Sequence, residues 1–239
     1  MRRRANLPIP DAAAGRIPRM GGVAASILSA DLANLGEQVK LVEPYAEAIH
    51  IDVMDAHFVP PLTVGPVVVA SLRAVTSKPL HCHLIIEHPD TLLDDFASAG
   101  ADMVSAHVEA VDEPADLVRK AHEAGLRAGL ALNPETPADA VLPHLEELDN
   151  VVVMAVRPGW AGQPFRPEVL PKIRAIRDEA DRRGLSVGIE VDGGITVETG
   201  RRCVDAGATV LAAASSIYGA SDPAAAARAL AEVARGGGG

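Results

Sequence analysis

A chain of 239 residues has room for one large domain or two small ones, and with 48% hydrophobic but only 3% aromatic residues its core must be built from Ala, Val, Leu and Ile. The formal net charge of −10 argues against nucleic-acid binding and against attachment to an acidic membrane, so an anionic ligand would need local help from backbone N–H groups or a metal. The only two cysteines, Cys82 and Cys203, fit a reducing cytoplasm rather than a disulfide scaffold.

Residues 1–20 begin Met1-Arg2-Arg3-Arg4 and lack the apolar run of a secretory signal, so they read as a disordered extension. Residues 21–235 read as a single domain without a linker, and 236–239 as a flexible tail. No run of about 20 apolar residues is present, so no membrane span is expected. From Val23 onward, short β-branched runs alternate with amphipathic or Ala-rich stretches. Strand Val23–Leu28 precedes helix Asn34–Glu43, and strand Ala48–Met54 precedes helix Pro66–Val75. Leu80–Leu84 is followed by Pro89–Ala99, Met103–His107 by Pro114–Ala124, and Arg127–Leu132 by a helix at Pro137–Leu142. Val151–Val156 precedes Pro167–Arg183, Ser186–Val191 precedes Val197–Ala206, and Val210–Ala214 precedes Asp222–Arg235. Several of these helices start with proline, whose missing N–H costs nothing in a first turn. Alternating strands and helices argue for a parallel sheet, and eight such units are the count of an α/β TIM (β/α)8 barrel. A doubly wound open sheet is the rival, weakened because no Gly-x-Gly-x-x-Gly follows the first strand.

The segment His50-Ile51-Asp52-Val53-Met54-Asp55 is the strongest chemical signal. Alternation along a strand puts His50, Asp52 and Met54 on one face and Ile51 and Val53 on the other. His83 in the third strand and Asp192 after the seventh fall near equivalent strand ends, where such barrels gather their active sites. Any one of these histidines alone reads as a hydrogen-bonded core residue. Two histidines and two carboxylates together suit one divalent ion: zinc, iron, manganese or cobalt. Three later loops could cradle a phosphate through backbone N–H groups: Gly159-Trp160-Ala161-Gly162, Gly193-Gly194 and Ala214-Ser215.

The motifs Ser26-Ile27-Leu28-Ser29-Ala30-Asp31, His50 to Asp55, His57-Phe58-Val59-Pro60, Leu132-Asn133-Pro134 and Glu190-Val191-Asp192-Gly193-Gly194 resemble, in order, those of the ribulose-phosphate 3-epimerase family. The resemblance covers nearly all of residues 22–232. It implies a metal held by His50, Asp52, His83 and Asp192, with Asp52 and Asp192 as the acid/base pair and Ser26 near the substrate. It also implies a homo-oligomer acting on a small ketose phosphate, with His83 and the three loops around it. Met54 and Met154 would form a polarizable wall over the intermediate, or simply pack the core.

Several residues depart from the family pattern. Ala56 stands for glycine, Pro61 for asparagine, His81 for aspartate, Ile85 for methionine, Trp160-Ala161 for Phe-Gly, and Ala214 for glycine. Arg157 is also unusual, and could pair with a substrate phosphate or with a surface carboxylate. His81 could support the metal site or fill space beneath it. Ala214 is tolerated if its φ is negative and strained otherwise. These departures leave the substrate open between D-ribulose 5-phosphate, D-allulose 6-phosphate (the sister epimerase family) and a specialised ketose phosphate, and leave a non-catalytic sugar-phosphate barrel as the remote alternative. A decarboxylase or aldolase of the same barrel type is disfavoured, because Asp52-Val53-Met54-Asp55 lacks the lysine of an Asp-x-Lys-x-x-Asp signature.

Overall fold

The computed structural model describes residues 21–236, so the expectations for residues 1–20 and for the last three positions lie outside it. Its eight parallel strands are β1 (Gly22–Ser26), β2 (Ala48–Met54), β3 (Leu80–Ile85), β4 (Met103–His107), β5 (Arg127–Leu132), β6 (Asn150–Met154), β7 (Gly188–Asp192) and β8 (Val210–Ala213). They pair in sequence order and close, with β1 bonded to β8 as well as to β2. Closure rules out the open sheet. Helices α1 (Leu35–Val42), α2 (Pro66–Arg73), α3 (Leu93–Ala99), α4 (Pro114–Glu123), α5 (Leu170–Arg182), α6 (Val197–Asp205), α7 (Ser215–Tyr218) and α8 (Pro223–Ala234) complete the TIM barrel. No helix among the described residues is long and apolar enough to cross a membrane.

Alternation divides each strand between two environments. Ile49, Ile51 and Val53 of β2 and Leu80, Cys82 and Leu84 of β3 point outward and join Val39, Val69, Leu72 and Phe96 of the helices in one large core. Each such aliphatic side chain contributes about 1.5–3 kcal/mol on full burial, and the many Val, Leu and Ile positions replace the missing aromatics. Both cysteines are free and buried. The inward face is mixed: His50, His81, Ser105, Asn150 and Glu190 are buried there beside small apolar groups such as Ala24, Ala48, Val152 and Val210.

The predicted elements needed five corrections. The first strand stops at Ser26, because the Ser26 hydroxyl accepts the Leu28 N–H at 3.3 Å and turns the chain into a 3-10 helix at Ile27–Ser29. The helix expected at Pro137–Leu142 is two 3-10 turns, Ala138–Ala140 and Leu142–His144. Pro143 explains this, since proline disfavours the α conformation in the residue before it and cannot donate in a continuing helix. The seventh strand extends through Asp192, which pairs with Met154 and Ala212, while the sixth ends at Met154 rather than Val156. An extra helix, α7, separates β8 from the last helix.

The loop after β2 is organised by Asp55. Its carboxylate accepts N–H groups from His57 at 2.8 Å, Phe58 at 3.0 Å and Glu87 at 2.8 Å. Burial would raise its pKa, but these three donors hold it below the ordinary aspartate value. Within this loop Ala56 donates its N–H to Pro61 O at 2.9 Å and sits at φ 62°, the left-handed region where the family glycine would be at ease. That conformation costs an L-residue about 1–2 kcal/mol. Ala56 is exposed, so Ala56→Gly removes no packing. The substitution is expected to stabilise the fold by about 1 kcal/mol after the greater freedom of glycine in the unfolded chain is subtracted, and chemical denaturation of the two proteins checks it. Unchanged or lower stability would mean that the loop relaxes without strain.

Candidate active site

Strand register, more than sequence proximity, assembles the site. In the β2–β3 pairing Asp52 lies beside His83, His50 beside His81, and Met54 beside Ile85. In the β1–β2 pairing Ser26 lies beside His50. Side chains that alternate on each strand therefore meet as a cluster at the C-terminal end of the barrel.

Four of them converge. Asp52 Oδ1 lies 3.2 Å from both His50 Nε2 and His83 Nδ1. Asp192 Oδ2 lies 3.9 Å from the same His50 nitrogen and 3.7 Å from the same His83 nitrogen. Four ligands at about 2.05 Å around a tetrahedral zinc would stand about 3.3 Å from one another, close to this spacing. The residues expected to hold a metal are thus brought together, with ligand atoms all within 4.8 Å. Two carboxylates and two imidazoles are a donor set that suits a divalent cation, and without one the four groups perturb each other's titration. Burial and the nearby Asp52 charge push Asp192 up to about 8. Burial would raise Asp52 too, but the His50 charge and hydrogen bond, with the His83 ring 3.2 Å away, hold it well below the usual range. Burial lowers His83 to about 3, leaving a neutral imidazole, the form that ligates. In His50 burial acts downward, but Asp52 and Glu190 outweigh it and raise the pKa well above normal.

The cavity above these groups is lined by Ser26, Asp52, Asp192, Met54, Ile85 and Met154, and by the loops at Gly159–Gly162, Gly193–Gly194 and Ala214–Ser215. His50 and His83 form no part of this lining and are wholly buried. Ser26 Oγ donates to Asp52 Oδ2 at 2.7 Å, so it orients one acid/base candidate. Gly193 and Gly194 adopt φ 108° and 63°. A Cβ on Gly194 would stand 2.5 Å from the Phe165 backbone nitrogen, so the chain after β7 can take only glycine there. Ala214 has φ −110°, so its departure from glycine carries no left-handed strain. Ile85 lines the cavity with Met54 and Met154 and keeps the apolar wall continuous. Trp160 lines the rim and is 63% exposed. Arg157 Nε donates to Glu135 Oε1 at 3.1 Å and stays exposed, so of its two candidate partners the structure shows the surface carboxylate.

The roles of Glu190, His107 and Glu109 escaped the sequence reading, whereas the supporting place of His81 was one of its two expectations. Glu190 is wholly buried and accepts from His50 Nδ1 at 2.8 Å and from Asn150 Nδ2 at 2.8 Å. His81 supports it: His81 Nδ1 lies 3.1 Å from Glu190 Oε2, at ion-pair distance though off hydrogen-bond direction, and Nε2 meets Ser105 Oγ at 2.8 Å. His107 at the end of β4 reaches His83 from the other side, and Glu109 just beyond it holds His107. The signal for His107 and Glu190 was the same alternation that revealed Asp52: both share the inward face of their strands with Ser105 and Asp192.

The family described as the ribulose-phosphate 3 epimerase family matches residues 22–218. Ribulose-phosphate 3-epimerase of Bacillus subtilis (strain 168) is 48% identical over 202 residues, covering 84% of this chain and 93% of the relative. The enzyme of the same name from Mycobacterium tuberculosis (strain ATCC 25618 / H37Rv) is 46% identical over 208 residues, covering 87% of this chain and 90% of the relative. Among solved structures, a 3-hexulose-6-phosphate synthase aligns with TM-score 0.67 at 23% identity, over 89% of this chain and 99% of the other, which shows the shared fold alone.

The donor set leads to a binding expectation. Metal-free protein titrated with zinc, iron, manganese or cobalt should take up one ion and melt at a higher temperature, with about 2.7 kcal/mol of added stability at a free ion concentration 100 times the Kd. Calorimetry and thermal melts check it, and the absence of both uptake and shift with all four ions would remove the metal reading.

Proposed function

The chain belongs to the ribulose-phosphate 3-epimerase family, and on that premise we propose that it interconverts D-ribulose 5-phosphate and D-xylulose 5-phosphate with the help of one divalent ion at His50, Asp52, His83 and Asp192. It is an isomerase, an epimerase acting on carbohydrates. The observation that carries the finer reading is one cavity lined both by the carboxylates Asp52 and Asp192 and by the glycine loops after β6 and β7.

Inverting a carbon beside a ketone needs a proton removed from one face and another delivered to the opposite face, through an enediolate. Asp52 and Asp192 rise from β2 and β7, on either side of β1 and β8, so they can serve the two faces of a substrate between them. A reversible inversion asks each carboxylate to take a proton in one direction and return it in the other, so both serve as acid and base. A divalent ion bound at these residues supplies Lewis-acid stabilisation of developing negative charge on the substrate's oxygens. Ser26, bonded to Asp52, fixes the direction of that carboxylate. Met54, Ile85 and Met154 exclude water from the reacting carbon. The loops at Gly159–Gly162, Gly193–Gly194 and Ala214–Ser215 offer backbone N–H groups to the phosphate, which an overall charge of −10 would otherwise repel.

The test offers D-ribulose 5-phosphate and D-allulose 6-phosphate separately, in deuterated water, to the metal-loaded enzyme. Deuterium at C3 with the matching 3-epimer of the pentulose phosphate is expected. Exchange only on the hexulose phosphate would move the substrate to the sister branch, and exchange on neither would sink the proposed activity. Asp52→Asn and Asp192→Asn should each lower turnover by about 10²–10⁴-fold, the usual contribution of a positioned acid or base.

A further inference from the structure

His83 faces two ways. Its Nδ1 lies 3.2 Å from Asp52 Oδ1, on the side where the ligand atoms converge, while its Nε2 lies 3.0 Å from His107 Nε2. The two rings have planes 16° apart and centroids 5.0 Å apart, and the short nitrogen–nitrogen distance at that separation sets them edge to edge. Both imidazoles are wholly buried, so no water intervenes at their edges. Two facing ring nitrogens this close need one proton between them: two lone pairs repel and two N–H groups collide.

The far side of His107 decides which nitrogen carries it. His107 Nδ1 lies 3.1 Å from Glu109 Oε2. The other oxygen of Glu109 accepts the Asn133 N–H at 2.8 Å and the Thr136 hydroxyl. Burial acts upward on the Glu109 pKa, but the bonds from His107, Thr136 and Asn133 bring it down to about 2, so the carboxylate only accepts. A neutral His107 then holds its proton on Nδ1 and presents a lone pair from Nε2. That lone pair requires His83 to carry its own proton on Nε2, which leaves His83 Nδ1 bare. A bare nitrogen opposite a carboxylate oxygen at 3.2 Å is favourable only with a cation between them.

We propose that His107 is a positioning residue which, braced by Glu109, holds His83 in the tautomer that binds the metal through Nδ1. The inference rests on the metal centre of the proposed function and adds to it a second rank of residues, anchored in the loop after β5. Lys172 stiffens that anchor by donating to Asn133 O at 2.7 Å and Pro134 O at 3.0 Å. Outer partners of ligating histidines are worth about 10–100-fold in metal affinity.

The experiment measures zinc affinity by competition with a chromophoric chelator, for the full-length wild type, His107→Leu and His107→Gln, with the thermal midpoint of each metal-free protein as the folding control. Glutamine places an amide oxygen where His107 Nε2 stood and can still accept the His83 proton; leucine cannot. The expected result is a loss of about 10–100-fold in His107→Leu and recovery of most of it in His107→Gln, whatever the two variants do to the midpoint. Equal affinities for wild type and His107→Leu would overturn the inference alone. A wild type that binds no divalent ion would overturn both the inference and the metal centre it rests on. If His107→Leu does not fold, nitrogen-15 NMR of the zinc-loaded wild type decides: His107 protonated on Nδ1 only supports the arrangement, and His107 protonated on Nε2 refutes it.

Discussion

Glu190 is a carboxylate sealed inside a barrel, and the functional end of the molecule is built on the way that charge is compensated. An ion moved out of water carries a penalty of several kcal/mol unless partners repay it. Here His50, His81 and Asn150 surround it from β2, β3 and β6. Burial pushes Glu190 upward, but the His81 ring at 3.1 Å and the hydrogen bond from His50 hold it well below the glutamate norm. The contact with His50 Nδ1 has a second effect. It fixes one nitrogen of His50 as the donor and aims the other, Nε2, at Asp52 and Asp192. A structural necessity of the interior thereby becomes an orientation at the surface of the cavity above it.

His50 and His83 are thus held in the same manner from opposite sides. Each offers one ring nitrogen to the carboxylate pair and spends the other on the protein: His50 on Glu190, His83 on His107. The closed register makes this possible, because neighbouring parallel strands place equivalent residues side by side and alternation turns the same set inward. The aliphatic layer outside the strands supplies cohesion without entering the chemistry, and this explains how a chain so poor in aromatics can keep a polar interior.

The barrel was legible because its period was: apolar runs alternate with helical stretches eight times, several of the helices opening with proline. His50, Asp52, His83 and Asp192 were legible because they are chemically conspicuous at strand positions that a barrel brings together. Glu190 and His107 were overlooked although they obey the same alternation, since their roles depend on cross-barrel distances that no local pattern encodes. Glu190 meets His50 across 140 residues of sequence. The failure at Pro137–Leu142 was local: between Pro137 and Pro143 the stretch is too short for a regular helix to propagate. The short helix α7 left no such trace: four residues, Ser215–Tyr218, carry too little periodicity to be seen. The outcome at Ala56 and Ala214 turned on φ alone, 62° against −110°, which composition does not report.

Trp160 is the only tryptophan in the chain, and it stands largely in solvent at the rim of the cavity. Its loop is pinned from within by Gln163, whose side-chain amide donates to Arg157 O and to Trp160 O. Indole emission shifts to shorter wavelengths as the ring leaves water, so the intrinsic fluorescence of this protein reports on a single place. Any ligand that draws the rim over the barrel writes its arrival into that one signal, and loop closure can be timed in the unlabelled enzyme.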